Sequence, residues 1–227
     1  MIADWPAGAL LMTYGSPASL DDLPRYLTAV RGGREASPDL VAEFTRRYRI
    51  IGGSPLVEIT TAQAHALEER FDGKVPVRAA MRFSQPSIAS GLAALAALGV
   101  QRIVGIIMSP QYSPLLMSGY RRDVGAAQEV MGDRAPDVVV AGAWHREPAF
   151  LDALAERIRQ GLEGFRTEER AVVPVLLKAC RDESPTRNPV TLPSSTRRPK
   201  LWPPAPGSPA TAGPSVGRAR ATSPANG

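Results

Sequence analysis

The chain has 227 residues with 27 Lys and Arg, 22 Asp and Glu and a single cysteine, so it is long enough for a buried core and cannot form an internal disulfide. The net charge of +5 comes from residues 178–227, which carry eight basic and two acidic groups. Residues 1–177 carry 19 basic and 20 acidic groups, so this part of the chain has no excess of positive charge with which to bind nucleic acid. Two histidines and one cysteine cannot build a Cys/His zinc cluster, and no run of 18 apolar residues or secretion signal is present, so a cytoplasmic protein without a transmembrane segment is expected.

Short apolar runs alternate with amphipathic segments as far as Leu177. Runs that are apolar throughout are typical of parallel strands buried on both faces, and helices between such strands form right-handed crossovers. The sequence therefore predicts an α/β fold, a parallel sheet with helices on both faces. In chain order the predicted elements are strand Ala9–Tyr14, helices Asp21–Val30, Pro38–Arg49 and Thr60–Phe71, strand Val75–Phe83, helix Pro86–Leu98, strand Arg102–Ser109, helix Ser118–Met131, strand Val138–Ala143, helix Glu147–Glu163 and strand Ala171–Leu177.

Two helices carry further sequence signals. Ser37 is a good N-cap, Pro38 suits the first helical position, and Gly52 follows the end of the same helix. The last predicted helix begins with Glu147 and Pro148, and its apolar side chains fall on one face. That face consists of Phe150, Leu154, Ile158 and Leu162.

Ligands of parallel α/β sheets bind beyond the carboxyl ends of the strands, so the loops there are the candidate sites. The first such loop begins Tyr14-Gly15-Ser16-Pro17, which matches neither G-x-G-x-x-G nor the P-loop motif and argues against a dinucleotide enzyme. The phenol of Tyr14 either points into the crevice or caps the sheet.

Basic and aromatic side chains are concentrated around two short predicted helices. Guanidinium groups there could hold carboxylates in bidentate pairs, or they could simply form solvated helix faces. These side chains are Arg31, Arg34, Arg46, Arg47 and Tyr48.

Two further loops have alternative interpretations. In Gly52-Gly53-Ser54-Pro55-Leu56, free backbone N–H groups and the Ser54 hydroxyl could take an anion, or the segment could be a plain turn. The stretch Ser109–Tyr120 is predicted to be a long, apolar and aromatic loop, which suits a flat hydrophobic ligand or packs into the core.

The nucleophiles and imidazoles do not form a recognisable catalytic set. His65 lies within a predicted helix and is expected to be structural or exposed, and His145 follows a strand beside Trp144. Their spacing does not suggest joint metal ligation. Cys180 has no assignable base, so neither a Ser-His-Asp nor a Cys-His site is predicted.

Seven motifs together resemble the ferrochelatase family, most closely its bacterial, coproporphyrin-using branch. They are LLMTYGSP, VRGGR, RRYRIIGGSPL, ITTAQAHALE, AAMRFSQPSI, PQYSPLLMSGY and WHREPAF, between Ala9 and Leu177. The resemblance covers the N-terminal half of such a chain and implies two Rossmann-like lobes with a tetrapyrrole between them. It implies insertion of ferrous iron, as substrate, into coproporphyrin III or protoporphyrin IX in haem biosynthesis, with no resident cofactor required. It leaves open the oligomeric state and whether an iron–sulfur cluster belongs to the missing half.

The resemblance also assigns roles to individual residues. Tyr14 matches the tyrosine that approaches the porphyrin metal axially, and a phenolate oxygen is a suitable ligand for iron. The family's segment Gly-Gly-Ile-Ser-Pro-Leu corresponds here to Gly52-Gly53-Ser54-Pro55-Leu56. This segment is one residue shorter, which affects how Ser54 is matched to the family's serine. The residues that match those holding the macrocycle and its propionates are Arg31, Arg47, Tyr48, Ser54 and Tyr120.

The resemblance ends after Leu177, where the family continues into a His-Ser-Leu-Pro turn and later supplies a glutamate, its two catalytic groups. This chain continues instead with Lys178-Ala179-Cys180-Arg181, and ten of its 22 prolines follow. Read one base earlier, GC-rich codons for Ala179-Cys180-Arg181 encode Ser-Leu-Pro. The stretch RRPKLWPPAPGSPATAGPSVGRARA likewise permits ETAKVVAARAGLARDSWAFGWQSAG, which resembles the family at this distance.

We therefore predict a chelatase lobe over residues 1–177 and a disordered, out-of-frame tail rich in Pro, Arg and Ala over residues 178–227. As written, the chain has no catalytic residue of the family and is expected to be inactive. One alternative is a porphyrin- or haem-binding module without metal insertion. Another is nucleic-acid binding by the basic tail, which has one aromatic residue, Trp202, and no basic-aromatic repeat.

Overall fold

Every predicted helix and four of the five predicted strands are present in the computed structural model, which describes residues 7–111 and 113–176 except for the side chain of Leu115. The strands form one parallel sheet with helices on both faces, which confirms the α/β class. The predicted tail and Cys180 lie outside the described residues. The elements are β1 (Ala7–Thr13), α1 (Leu23–Val30), α2 (Pro38–Ile51), α3 (Leu56–Arg70), β2 (Val77–Met81), α4 (Ile88–Ala97), β3 (Arg102–Ile107), α5 (Pro114–Met131), a 3₁₀ turn (Gly132–Arg134), β4 (Asp137–Val140) and α6 (Pro148–Glu163).

The strand order is β2-β1-β3-β4, so the first strand of the chain lies between two later ones. Ala9 of β1 pairs with Val77 on one side and with Val104 on the other. β1 is buried on both faces, which explains its continuous apolar sequence. The strand that follows β1 in the chain, β2, lies on one side of the β1–β3 pair, and the strand that follows β3, β4, lies on the other side. The carboxyl ends of β1 and β3 therefore form the topological switch point, where such folds bind ligands.

Three apolar clusters hold the helices in place. One face of the sheet carries Leu10 and Met12 against α4 and α5, and the other carries Ala9 and Leu11 against α3. A third cluster joins α1 to α2 and reaches the loop after β2 through Phe83. Its buried members are Leu23, Tyr26, Leu27 and Ala36.

Serine caps determine where several helices begin. The Ser37 hydroxyl accepts the Leu40 amide at 3.4 Å, and Gly52 at φ +73° ends α2, as predicted. Ser113 caps α5 in the same way, so α5 starts at Pro114 rather than at the predicted Ser118. The prediction of a long loop up to Tyr120 is therefore wrong, because its second half is helical.

The predicted strand Ala171–Leu177 is also wrong over the described residues 171–176, which are not part of any strand. Val172, Val175 and Leu176 are exposed. An apolar run becomes a strand only where a partner strand completes its hydrogen bonds, and within the described residues β4 pairs with β3 alone. None of the helices in the described part of the chain is long and apolar enough to span a membrane.

Candidate functional site at the carboxyl edge of the sheet

Tyr14 is the first residue after β1 and lies at the switch point of the sheet. Its side chain is 37% exposed, and its ring meets that of Phe83 edge to face at 4.8 Å and 61°. The Phe83 amide donates to the Tyr14 carbonyl at 3.0 Å, and the Arg82 amide donates to the Thr13 carbonyl at 2.9 Å. Tyr14 is thus an accessible phenol held at one edge, rather than a buried cap of the sheet.

The turn after this phenol is fixed from several directions. Gly15 has φ +85°, and a Cβ atom there would meet the Cβ of Met81 at 2.9 Å, so the site accepts only glycine without strain. The Tyr26 hydroxyl donates to the Gly15 carbonyl at 3.0 Å. The Ser16 amide donates to the Ser84 hydroxyl at 3.2 Å. These contacts fix the direction in which the preceding side chain leaves the sheet.

A partly buried cation lies at the end of the neighbouring strand. Arg82 is 10% exposed, and its Nε donates to Oδ2 of Asp123 at 2.7 Å. The guanidinium carbon lies 4.7 Å from the ring centre of Phe83 and 5.6 Å from that of Tyr120. A Cβ atom at Gly119 would collide with this guanidinium, so the glycine makes room for it on α5.

Sequence reasoning did not identify Arg82 and Asp123, which are 41 positions apart. A weak signal exists, because Arg82 directly follows a buried strand and Gly119 and Asp123 stand four residues apart on one helix face. The ring of Phe83 lies between this ion pair and Tyr14. The ion pair therefore supports the aromatic surface on which the exposed phenol rests.

Burial raises the pKa of three tyrosine hydroxyl groups near the site. Burial raises the pKa of Tyr26 to about 12, and the nearby phenols of Tyr48 and Tyr14 add to the shift. Burial also raises the pKa of Tyr120, with Tyr14 adding to the shift and the Arg82 cation opposing it. The pKa of Tyr48 is raised by burial as well. These three hydroxyls remain protonated at neutral pH and can donate hydrogen bonds there.

Tyr48 and Ser54 line the same groove, which has a volume of about 660 Å³. The amides of Gly52 and Gly53 both donate to the Tyr48 carbonyl, and the Leu56 amide donates to the Ser54 hydroxyl at 3.4 Å. These three amides serve the helix ends, so the interpretation as a turn holds for them. The other lining residues are Pro17, Ala18, Ser19, Leu20, Arg49, Ile51, Pro55 and Glu58.

Arg31 lies in a different groove, of about 670 Å³, between α1 and the start of α2. It is exposed, and Glu35, Ser37 and Pro38 line the same groove. Within the described residues its guanidinium forms no ion pair with a carboxylate. Arg31 is thus available to a carboxylate from solution, although it does not line the groove of Tyr48.

Arg47 on α2 is already paired. Its Nε donates to Oε1 of Glu43 at 2.7 Å, and Arg46 donates to the other oxygen of Glu43 at 2.9 Å. Hydrogen bonds from Arg46 and then from Arg47 lower the pKa of Glu43 to about 2. The guanidinium of Arg47 also lies 5.5 Å from the ring centre of Phe44. These two arginines match the solvated helix face, and an incoming anion would have to displace Glu43.

Tyr120 is buried, and the two histidines lie in different parts of the fold. Tyr120 belongs to the core between the sheet and α5, and His65 is exposed on α3, as expected. The His145 amide donates to the Pro110 carbonyl at 3.1 Å, and its buried Nδ1 has no hydrogen-bond partner among the described residues. No cluster of His, Cys, Asp and Glu in residues 7–111 and 113–176 could hold a metal.

Comparison with known proteins gives one consistent family. A ferrochelatase family profile matches residues 6–178. The chain is 37% identical over 178 residues to the ferrochelatase of Deinococcus radiodurans, which covers 77% of this chain and 56% of the relative. It is 31% identical to the ferrochelatase of Herpetosiphon aurantiacus, over 75% of this chain and 57% of that relative. Identity to the coproporphyrin III ferrochelatase of Geobacillus kaustophilus is 35%, over 74% and 55%. The chain spans little more than half the length of these curated relatives.

Proposed function

The chain belongs to the ferrochelatase family, and from this premise we propose that residues 7–176 form one wall of a porphyrin site. In the full-length protein this wall would serve the insertion of ferrous iron into a porphyrin during haem biosynthesis, in the cytoplasm. Coproporphyrin III is the preferred candidate, because several relatives are named coproporphyrin III ferrochelatases. Protoporphyrin IX is the alternative substrate.

The single observation that carries this proposal is the position of Tyr14. Its phenol is exposed, rests against Phe83, and stands at the switch point of the sheet. A phenolate oxygen is an established type of axial haem ligand. We propose that the Tyr14 oxygen approaches the iron of the bound tetrapyrrole from one face.

The carboxylates of the porphyrin would be held by groups around the two grooves. The guanidinium of Arg31 is exposed and suits a bidentate contact with a propionate. Tyr48 and Ser54 can donate hydroxyl hydrogens from the neighbouring groove. Arg47 can take part only by exchanging Glu43 for the ligand, and Tyr120 would act from beneath the surface, through the ring contacts of Arg82.

The test is a spectroscopic titration of the protein with ferric coproporphyrin III. Tyr14→Phe should weaken binding and shift the absorption bands of the iron, because it removes the axial oxygen. Arg31→Ala should weaken binding and leave the bands unchanged. Phe71→Leu is the matched control, since it removes an exposed aromatic ring at the end of α3, outside the residues assigned to the site. Identical spectra for the unsubstituted protein and Tyr14→Phe would contradict the axial role.

We further propose that the chain as written binds a porphyrin without metalating it. Proton abstraction from the pyrrole nitrogens needs a positioned base, and Lys178-Ala179-Cys180 stands where the family resemblance expects the histidine turn. The out-of-frame origin of residues 178–227 accounts for this difference. We expect iron insertion at the background rate from the 227-residue protein and recovery of insertion once the frame is restored after Leu177. Turnover by the unrepaired protein would refute the assignment of the chemistry to the missing half.

A further inference from the structure

The groove that contains Tyr48 and Ser54 also holds an exposed cation, to which no role has been assigned so far. Two charged side chains line this groove in the described part of the chain, Arg49 and Glu58. Arg49 is exposed, and the ion pairs found among residues 7–111 and 113–176 do not include it. Its guanidinium can therefore receive a carboxylate from solution.

The neighbouring cations and amides are already engaged. Arg46 and Arg47 both donate to Glu43, so either of them can bind a ligand only after Glu43 is displaced. The two glycine amides of the groove donate to a carbonyl at the end of α2. A carboxylate that enters the groove therefore meets one unpaired guanidinium, that of Arg49.

Arg31 and Arg49 stand near opposite ends of α2. Arg31 lines its groove beside Ser37 and Pro38, where the helix begins, and Arg49 lies in the last turn. The 14 residues of α2 span about 20 Å at a rise of about 1.5 Å per residue. Two cations separated in this way suit carboxylates on different edges of a porphyrin better than two neighbouring carboxylates on one edge.

The two candidate porphyrins differ in where their carboxylates lie. Protoporphyrin IX carries its propionates on neighbouring pyrrole rings, whereas coproporphyrin III carries a propionate on every pyrrole ring. Protoporphyrin has vinyl groups at the remaining positions, and a vinyl group gains nothing from a guanidinium. A carboxylate there would instead form charge-assisted and bidentate hydrogen bonds with it. Coproporphyrin is thus the porphyrin that can present carboxylates to cations at both ends of α2.

We propose that Arg49 is a specificity-determining residue, which pairs with a propionate that coproporphyrin III carries and protoporphyrin IX lacks. This inference rests on the proposed porphyrin site and extends it to the choice between the two substrates. The apolar side chains of the same groove, Leu20 and Ile51, can contact a propionate stem or a vinyl group. The cation therefore supplies the preference for coproporphyrin.

The experiment measures the affinities of ferric coproporphyrin III and ferric protoporphyrin IX for the 227-residue protein by absorption titration. Arg49→Gln removes the charge, and Arg49→Lys keeps the charge but removes the planar fork. Arg70→Gln is the matched control, because Arg70 is an exposed arginine in the last turn of α3, just as Arg49 is in the last turn of α2. The thermal unfolding midpoint of each variant is measured in parallel.

We expect Arg49→Gln to weaken the binding of ferric coproporphyrin III about three- to fivefold, as for an exposed ion pair, and to leave the affinity for ferric protoporphyrin IX unchanged. Arg49→Lys should keep part of the preference, and Arg70→Gln should keep all of it. Added salt should reduce the preference of the unsubstituted protein and have no such effect on Arg49→Gln, because salt screens an exposed pair.

The contrary results separate this inference from the proposed function. Equal losses for both porphyrins in Arg49→Gln would overturn it, since the partner would then be a carboxylate that both ligands share. An unchanged ratio with a lowered unfolding midpoint would also overturn it, because Arg49 would then serve only the dipole at the end of α2. In both cases porphyrin still binds and the proposed site stands. Failure of the unsubstituted protein to bind either porphyrin would refute the site itself and the role of Arg49 with it.

Discussion

Removal of Asp123 tests whether the ion pair behind the aromatic surface is a buried interaction. Asp123→Ala leaves the guanidinium of Arg82, only 10% exposed, without its carboxylate. Breaking a fully buried pair from one side costs about 3–5 kcal/mol. The Asp123 side chain is 29% exposed, so water can replace part of the contact and we expect a loss of about 2–3 kcal/mol.

The double substitution Arg82→Met with Asp123→Leu should be far less harmful than Asp123→Ala alone. Replacement of both partners by apolar groups of similar size is often close to neutral. The lost contacts of the guanidinium with the rings of Phe83 and Tyr120 are worth about 0.5–1 kcal/mol each near a surface. We therefore expect the double variant to lie within about 2 kcal/mol of the original protein, which makes the two substitutions non-additive.

The assay is urea unfolding followed by circular dichroism, with the thermal midpoint as a second measure. For a domain of this size, about 2–3 kcal/mol corresponds to a drop of roughly 4–12 °C. Arg122→Met is the matched control, because Arg122 contacts the other oxygen of Asp123 at 3.4 Å from an exposed position. If Asp123→Ala costs no more than this control, solvent screens the pair and the reasoning fails.

Three further substitutions follow from the structure. Gly15→Ala should lower the free energy of unfolding by about 2 kcal/mol or more, measured in urea, because it combines a positive φ with steric overlap. The pKa of Glu68 is lowered chiefly by the amide of Val77, so its stabilisation is present above the ordinary carboxyl value of 4.5 and is lost as the pH falls through the lowered one. The difference in unfolding free energy between the original protein and Glu68→Gln should thus be largest near neutral pH and vanish in strong acid. Glu43→Gln should release Arg47 and tighten the binding of ferric coproporphyrin III a few-fold in the spectroscopic titration.

Each of these has a control and a contrary result. Gly125→Ala replaces a helical glycine of α5 that has open space around it, so it should stabilise the protein slightly. Equal changes in unfolding free energy for Gly15→Ala and Gly125→Ala would mean that the turn at Gly15 does not require glycine. A Glu68→Gln difference that stays constant between neutral and acidic pH would contradict the linkage. Glu129→Gln is the control for Glu43→Gln, because it removes an exposed carboxylate from a different helix, α5. An equal gain in porphyrin affinity for the two variants would mean that the change in net charge is the cause.

The sequence predicts the helices and strands well where the signal is local. Ser37, Pro38 and Gly52 define α2 because a cap, a fixed φ and a left-handed glycine act within a few residues. The start of α5 is missed because the run from Ser113 onward is apolar enough to resemble a loop over a ligand, although Ser113 and Pro114 are an equally good start signal.

The errors and omissions concern contacts between distant parts of the chain. Strand-like residues 171–176 lack a strand because partner availability is not a property of the local sequence. The pairing of Arg82 with Asp123 depends on the space that Gly119 leaves, and a glycine within a helix gives no indication of which side chain it accommodates. The place of Tyr14 at the carboxyl end of β1 can be predicted, because the end of a parallel strand is itself a positional signal, although the strand ends at Thr13, one residue before its predicted end.

The central position of β1 also has a consequence for how the protein is made. Ala9 leaves the ribosome early, yet one of its two pairing partners is Val104. Pairings over such long separations carry a high loop-closure cost and slow folding. A nascent chain that has not yet completed β3 exposes one unpaired edge of an apolar strand, which can join other strands and aggregate. During synthesis, β1 therefore keeps one edge unpaired until β3 has left the ribosome.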